Sequence, residues 1–244
     1  MSRLLLVLAH PDDESMGNGT LIARHVAAGC EVSLVCATKG GAGWNGRPAG
    51  ARPEELTAIR AKELSRAAAT LGLAHVDLWD YPDGGVPGCD QAEITERIRA
   101  AIDRAQPDVV VGWGPDGAYG HPDHIAVGAC TDAALAGSAL PHYHMAVDQA
   151  MADGLLGAFR AAGIDAGGMQ VRPVDRLDAA FEPTAEELAL VRRAIECHDS
   201  QLNPMYQAIL VDDPTLFWLA RSCYVRVSGP LPEPATELLP ELRQ

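Results

Sequence analysis

The chain has 244 residues, of which 48% are hydrophobic and 21% are charged, as is usual for a globular protein with a buried core. Its formal net charge is −14, and Lys39 and Lys62 are its only lysines. So acidic a chain repels phosphate backbones and anionic lipid headgroups. We therefore expect a protein that binds neither nucleic acid nor a membrane surface.

The six cysteines are scattered without a C-x-x-C pair, which predicts a reduced protein in the cytoplasm. The apolar run over residues 4–9 is far shorter than the roughly 20 residues of a membrane span. It is also too short for a signal peptide, and His-Pro-Asp-Asp-Glu follows where a cleavage site would stand. We therefore predict neither a targeting segment nor membrane insertion.

Apolar runs of strand length alternate with helical patterns, an arrangement typical of a parallel α/β sheet. A strand that is buried on both faces reads as a continuous apolar run, as residues 4–9 do. The predicted strands cover residues 3–9, 31–37, 75–79, 109–111, 142–147, 176–181 and 222–228. The predicted helices cover residues 15–28, 53–71, 91–105, 122–136, 149–162 and 184–197.

These elements predict a single-domain α/β fold over residues 1–228, with a Rossmann-like, mostly parallel sheet flanked by helices. Residues 229–244 contain four prolines and are expected to form an irregular tail. Residues 39–53 are rich in glycine and proline, which predicts a long loop after the second strand. Residues 137–183 are the least regular and could form the contact of a homo-oligomer. Open α/β sheets bind ligands at the carboxyl ends of their strands, so we expect the site at that edge.

Two loops at this edge have similar chemical groups. His10, Asp12 and Asp13 follow the first predicted strand, and His121 and His124 follow the fourth. A catalytic zinc has three protein ligands and one open position, and a His-Asp-His set from these loops would supply the three. Asp12 would then lie beside the metal and could take a proton from bound water, whose pKa zinc lowers to about 7.

Each motif alone also has a structural explanation. The acids at 12–14 could complement a helix N-terminus, at about 0.3–1 kcal/mol each, and residues 121–124 could form a surface turn. Both motifs on strand-to-helix loops of one sheet favour a metal site instead. In such a site Asp123 is expected to hold His121 protonated, as a cation that stabilises an oxyanion or protonates a leaving amine.

A-H-P-D-D-E at 9–14 together with H-P-D-H at 121–124 resembles the zinc-dependent N-acetylglucosaminyl deacetylases known as the PIG-L or LmbE-like family. The resemblance covers about residues 1–135 well and the rest loosely. It implies that His10, Asp13 and His124 bind zinc and that Asp12 is the general base. Ferrous iron is an alternative, because a His-His-Asp set accepts either metal.

The same resemblance assigns roles to five other residues. It implies that His121 is the electrophilic or acid group, positioned by Asp123, and that Tyr119 swings toward the substrate carbonyl. It further implies that Arg60, in R-A-K-E-L, and Asp83, in P-D-G, hold the sugar.

The substrate is less well specified by the sequence. E-S-x-x-N-G at 14–19 resembles the deacetylases of the mycothiol pathway, and related conjugate amidases tend to have a lysine where this chain has Gly17. Many family members have T-x-G-E after the second strand, where this chain has Thr38-Lys39-Gly40-Gly41. Because that difference could change which sugar substituent is accepted, the sequence leaves the substrate open.

We therefore expect a metal-dependent hydrolase that removes an N-acetyl or other N-acyl group from an amino sugar such as an N-acetylglucosamine conjugate. A thiol-conjugate amidase is the alternative within the same chemistry, and a non-catalytic metal-binding protein is the alternative of another class. G-x-G-x-x-G does not follow the first strand, which disfavours a dinucleotide-binding protein. His198, in H-D-S-Q, could either belong to the site or cap a helix.

Overall fold

The computed structural model describes residues 2–163, 165 and 171–229, which form seven strands, nine α-helices and two short 3-10 helices, Val86–Gly88 and Asp199–Gln201. The strands are β1 Arg3–Leu8, β2 Glu31–Thr38, β3 His75–Tyr81, β4 Val109–Trp113, β5 His142–Met145, β6 Ala179–Phe181 and β7 Ser222–Ser228. The helices are α1 Gly19–Ala27, α2 Pro53–Leu71, α3 Gln91–Ala105, α4 Gly117–Gly120, α5 Pro122–Leu135, α6 Gln149–Ala161, α7 Ala185–Glu196, α8 Pro204–Val211 and α9 Asp213–Ala220. The predicted tail falls almost entirely outside the described residues.

The described strands join one sheet in the order β3-β2-β1-β4-β5-β7-β6. The first five strands in this order are parallel, and β7 and β6 add an antiparallel edge. The strand order reverses between β1 and β4, so the two loops that carry the histidine motifs emerge side by side at a topological switch point. The predicted mostly parallel, Rossmann-like sheet is confirmed.

The centre of the sheet follows from its sequence. Residues 4–8 of β1 are at most 2% exposed although their side chains alternate between faces, so both faces of the strand are covered. Leu6 pairs with Leu34 of β2 on one side and Val111 of β4 on the other. Each buried leucine contributes about 1.5–3 kcal/mol to folding. Within the described residues, no helix has the length and apolarity that a membrane span requires.

Several elements differ from the predicted ones, and two of the differences shape the site and the cavity. Helix α1 begins at Gly19 instead of residue 15, because residues 11–18 form turns in which Asp12 has a φ of 119°. The acids at 12–14 therefore lie outside the first turn of the helix, and the helix-complementing explanation for them is wrong. The short helices α8 and α9 were not predicted, because they are apolar on most sides and lack helical periodicity.

Strand β5 faces helix α5 through two histidines. His144 Nε2 lies 2.7 Å from Asp132 Oδ1, and His142 Nδ1 lies 3.6 Å from the same oxygen. His142 is 1% exposed, and among the described residues its Nε2 has no hydrogen-bond partner. Burial, aided by the neighbouring His144 and opposed by Asp132, lowers the pKa of His142 to about 4.

Buried His142 should make the fold sensitive to acid. Below pH 6.5 the unfolded chain protonates this histidine while the folded chain does not, so the free energy of unfolding falls as the pH drops from about 6.5 to about 4. The loss from this residue is at most about 3 kcal/mol. We expect the free energy of unfolding, measured by urea titrations at pH 7.0 and 4.5, to fall less between these pH values in His142→Leu than in wild type. His75→Leu, at an exposed position of β3, should keep the wild-type slope. Equal acid losses in His142→Leu and wild type would contradict the assignment.

Candidate functional site

The loops after β1 and β4 bring His10, Asp13 and His124 together. His10 Nδ1 lies 3.1 Å from His124 Nε2. The Asp13 carboxylate completes the triangle, with Oδ2 3.7 Å from His10 Nδ1 and Oδ1 3.5 Å from His124 Nε2. All three residues are at most 7% exposed. The structure thus assembles the three predicted metal ligands from the two loops.

This triangle fits a tetrahedral metal ion. Zinc bonds to nitrogen and oxygen are about 2.0–2.2 Å long, which places neighbouring ligand atoms about 3.3–3.6 Å apart. The opposite nitrogen of each ring is already used, because His124 Nδ1 bonds the Gly117 carbonyl at 3.2 Å and His10 Nε2 bonds Asp123. Such bonds fix the tautomer that directs a nitrogen lone pair at the metal. His10 Nδ1 and His124 Nε2, which face each other, are therefore the ring nitrogens left to hold a metal.

The structure corrects the expected partner of Asp123. Its carboxylate Oδ2 lies 3.0 Å from His10 Nε2 and accepts the Gly84 N–H at 2.7 Å, while Oδ1 accepts the Val86 N–H at 3.1 Å. Only its backbone N–H meets His121. Asp123 therefore orients His10 and does not hold His121 in a charged state.

His121 is also different from the expected cation. Its Nδ1 accepts the Asp123 N–H at 3.2 Å, which leaves the proton of the neutral ring on Nε2. Burial, with the nearby imidazoles of His10 and His124, lowers the pKa of His121. The ring stacks on His124 with centroids 4.7 Å apart. At neutral pH His121 therefore presents an uncharged N–H donor beside the triangle.

Asp12 lies next to the triangle in a strained conformation. A φ of 119° is rare for a residue other than glycine and costs on the order of 1–3 kcal/mol. Glu14 Oε2 accepts its backbone N–H at 2.9 Å, and Arg60 Nη2 lies 3.0 Å from its Oδ2. Burial raises the pKa of Asp12 to about 6, with Arg60 opposing the rise. The carboxylate is thus held in place and is able to exchange a proton near neutral pH.

The two predicted sugar-binding residues lie at the cavity but are differently engaged. Arg60 is 3% exposed and donates to Asp12, to the Gly40 carbonyl at 2.9 Å and to the Pro11 carbonyl. Its contacts are those of a residue that positions the Asp12 loop. Asp83 lies 3.2 Å from His10 Nε2 and accepts the Ala42 N–H at 2.8 Å. Sugar binding by either residue stays a prediction.

Tyr119 lies on α4, a single turn in which Gly117 and Ala118 have φ values of 58° and 65°. Its ring is 40% exposed and lies 5.4 Å from the His124 ring, centroid to centroid. The residue therefore stands at the entrance of the cavity, within reach of the triangle. Its movement toward the substrate carbonyl stays a prediction.

The turn over residues 198–201 contains His198, for which the sequence left open a place in the site or a role as a helix cap; the contacts of Ser200 and Gln201 were not predicted. His198 Nε2 lies 2.7 Å from Glu14 Oε1, and both side chains are fully buried. Burial opposes both charges, but their mutual attraction raises the pKa of His198 and lowers that of Glu14. His198 is therefore part of the support for Asp12, since Glu14 also holds the Asp12 backbone.

The next residues of this turn contact two other segments of the site. Ser200 donates two hydrogen bonds to Glu63, one from its N–H at 2.7 Å and one from its hydroxyl at 2.6 Å. Glu63 lies on α2, three residues after Arg60. Gln201 bonds the backbone of Trp44 at both N–H and carbonyl, at 3.0 and 3.1 Å. One turn thus ties together the Asp12 loop, helix α2 and the predicted loop over 39–53. Its signal in the sequence is the polar tetrapeptide H-D-S-Q after an amphipathic helix, in which only His198 could be named as a candidate.

A cavity of about 540 Å³ opens from this cluster, within the roughly 300–1,000 Å³ range of small-molecule sites. Its polar end is formed by the catalytic candidates, and the remainder includes residues of the loop over 39–53, β5, α6, α8, α9 and β7. The arrangement can hold a divalent cation, a carboxylate base and an N–H donor around one substrate group. These are the parts of a metal-dependent hydrolase.

Residues 5–135 match the model of the family described as PIG-L, GlcNAc-PI de-N-acetylase. A 1D-myo-inositol 2-acetamido-2-deoxy-alpha-D-glucopyranoside deacetylase from Mycolicibacterium vanbaalenii is 34% identical over 235 residues, covering 83% of this chain and 81% of that protein. The chain belongs to the PIG-L family. The resemblance that the two histidine motifs carry is thereby confirmed.

Solved structures agree on the fold. The N,N'-diacetylchitobiose deacetylase from Pyrococcus horikoshii has a TM-score of 0.67 at 22% identity, covering 93% of this chain and 84% of that one. The 4-carboxy-2-hydroxymuconate hydratase from Pseudomonas putida has a TM-score of 0.65 at 18% identity, covering 96% and 99%. One of these proteins is a deacetylase and the other a hydratase, so this fold alone does not fix the reaction.

The Glu14–His198 pair should behave as a coupled unit. Removing one partner of a buried ion pair leaves an uncompensated charge, so we expect Glu14→Gln and His198→Gln each to lower the free energy of unfolding by about 3 kcal/mol or more. The double variant should lose at least 1 kcal/mol less than the sum of the single losses. Urea unfolding of the four proteins measures this coupling. Strict additivity would show that the contact does not contribute.

Proposed function

We propose that this PIG-L family protein is a metal-dependent hydrolase that removes an N-acetyl group from an amino sugar conjugate. The observation that carries the proposal is the convergence of His10, Asp13 and His124 beside a strained, proton-accepting Asp12 at one end of a cavity. The names of the relatives support the substrate class, because both the Mycolicibacterium and the Pyrococcus proteins are deacetylases of N-acetylglucosamine conjugates by name.

The ligand set suits zinc and also ferrous iron, because imidazole and carboxylate donors accept both. Held by His10, Asp13 and His124, such an ion would polarise the acyl carbonyl and lower the pKa of water to about 7. Asp12 is outside the triangle and oriented by Arg60, so it is free to remove the proton from the attacking water. Its pKa of about 6 suits a base that must also release the proton.

His121 and Asp12 divide the remaining steps. An uncharged His121 is too weak an acid to protonate an amine, but its Nε2–H can donate a hydrogen bond to the oxyanion that forms when the carbonyl is attacked. The proton for the departing amine then comes from Asp12, which received it from water. Asp83 lines the cavity, and in this scheme its carboxylate accepts a hydrogen bond from a hydroxyl of the sugar. In this scheme Arg60 acts on the substrate only through Asp12.

The two alternatives have less support. A thiol-conjugate amidase would use the same residues, and only the acyl group would differ. A protein that merely binds metal has no need of a second acid beside the triangle, held at a φ of 119° by a buried arginine and a buried glutamate. Such strain is typical of a residue that is positioned for a reaction.

Substitutions of the neighbouring Asp12 and Asp13 should have different effects on metal content and activity. We expect Asp12→Asn to keep about one metal ion per chain and to lose on the order of 10²–10⁴ in kcat, the usual contribution of a general base. Asp13→Ala should lose the metal as well as activity. Asp80→Asn, on the exposed side of β3, serves as the control. Elemental analysis and amine release from a panel of N-acetylglucosamine conjugates measure both properties. Wild-type protein purified without chelator that lacks metal would overturn the proposal.

Substitution of His121 can distinguish an uncharged donor from a cationic acid. His121→Gln keeps an N–H donor but cannot be charged, whereas His121→Phe removes the donor. We expect His121→Phe to lose about 10²–10³ in kcat and His121→Gln to lose at least tenfold less. If the two variants are equally inactive with metal still bound, the proton for the leaving amine comes from His121.

A further inference from the structure

A second cluster of metal-binding side chains lies between β5 and α5. His142 and His144 are two residues apart on β5, so both side chains leave the strand on the same face, where they meet Asp132 of α5. One nitrogen of each imidazole and one carboxylate oxygen all lie within 4.8 Å of one another. We propose that these three residues form a second metal site, which takes a divalent transition-metal ion such as zinc and links β5 to α5.

The contacts within this cluster leave His142 poorly satisfied. His144 Nε2 pairs with Asp132 Oδ1 at 2.7 Å, but His142 Nδ1 is 3.6 Å from the same oxygen, which is beyond hydrogen-bond distance. His142 Nε2 has no partner among the described residues either, although the side chain is buried. Two ligand atoms of one zinc ion are separated by about 3.3–3.6 Å, so the distance from His142 to Asp132 fits a shared ion better than a hydrogen bond.

The charge and exposure of the cluster suit a cation. In the part of the chain that the structure describes, Asp132 forms ion pairs with these two histidines and with no lysine or arginine, so no fixed cation neutralises it. Imidazole nitrogen and carboxylate oxygen together are ligands for zinc, iron, nickel or copper. The side chains of Asp132 and His144 are 42% and 12% exposed, which leaves one side of the cluster open to solvent for the entry of an ion and for water ligands.

The second site is separate from the triangle at the edge of the sheet. Asp132 follows His124 by eight residues on α5, about 12 Å along the helix axis, and the two sites share no residue. We expect the second site to bind its ion more weakly, because Asp132 is exposed to water whereas the three residues of the triangle are buried. Protein purified without added metal should therefore hold one ion, in the triangle, and take up another when zinc is added.

Equilibrium dialysis against increasing concentrations of zinc tests the site. Wild type should rise from about one ion per chain to about two, and Asp13→Ala, which lacks a ligand of the triangle, should still take up about one. We expect His144→Gln and Asp132→Ala each to raise the Kd of this ion by at least about 10–100-fold, since even residues that only support a metal ligand contribute that much. The control is His75→Gln, which removes an exposed imidazole of β3 that lies 3.9 Å from a single carboxylate. It should leave the Kd unchanged.

Thermal unfolding gives a second readout, because an ion that binds only the folded chain raises its Tm. In Asp13→Ala, zinc at about 100 times its Kd should raise the Tm by about 5–10 °C, and adding His144→Gln should abolish the rise. The acid sensitivity of His142 belongs to the metal-free cluster and is measured with a chelator present.

The outcome is separable from that of the proposed function. If wild type takes up no second ion, or if His144→Gln binds that ion as tightly as wild type does, the inference is overturned and the hydrolase is unaffected. The comparison of wild type with His144→Gln decides this even where Asp13→Ala does not fold. A protein that binds the second ion but releases no amine from any conjugate would contradict the proposed function alone.

Discussion

The constraint on which this structure depends is the compensation of buried charge at one edge of the sheet. Asp13, Glu14, Asp123, Arg60 and His198 are all at most 7% exposed, in a medium where an isolated charge is very unfavourable. Each therefore requires a partner of opposite charge or a backbone donor, and the partners lie on different elements. The position of the loops, the orientation of His10 and the conformation of Asp12 follow from meeting these requirements together.

Local pattern was enough to predict the parts of the site that follow directly from strand order. The buried runs of β1 and β4 and the polar residues after them are contiguous in sequence, so the meeting of His10 with His124 could be predicted once the sheet was assumed parallel. The start of α1 could not, because Asp12 adopts a φ that its residue type disfavours. That conformation is imposed by Glu14 and Arg60, and only the first of these is near in sequence.

The remaining errors concern contacts between residues distant in sequence. Asp123 was expected beside His121, two residues away, but its carboxylate meets His10 and the turn at Gly84, 113 and 39 residues away. The His198–Glu14 contact spans 184 residues. Hydrophobic periodicity predicts which face of an element is buried, but it does not determine which buried acid meets which buried base. Those pairs depend on how helices and loops pack once the sheet exists.

The residues proposed for the chemistry and the rest of the cavity lining come from different parts of the chain. The family match ends at residue 135, and every residue that we propose as a ligand of the triangle, base or N–H donor lies before that point. The cavity residues of α6, α8 and α9 all come after it. The turn over residues 198–201 joins the two parts, because it supports the Asp12 loop at one end and leads into α8 at the other. A change in the C-terminal helices can therefore alter the cavity without moving a reacting group, whereas a change in this turn affects both.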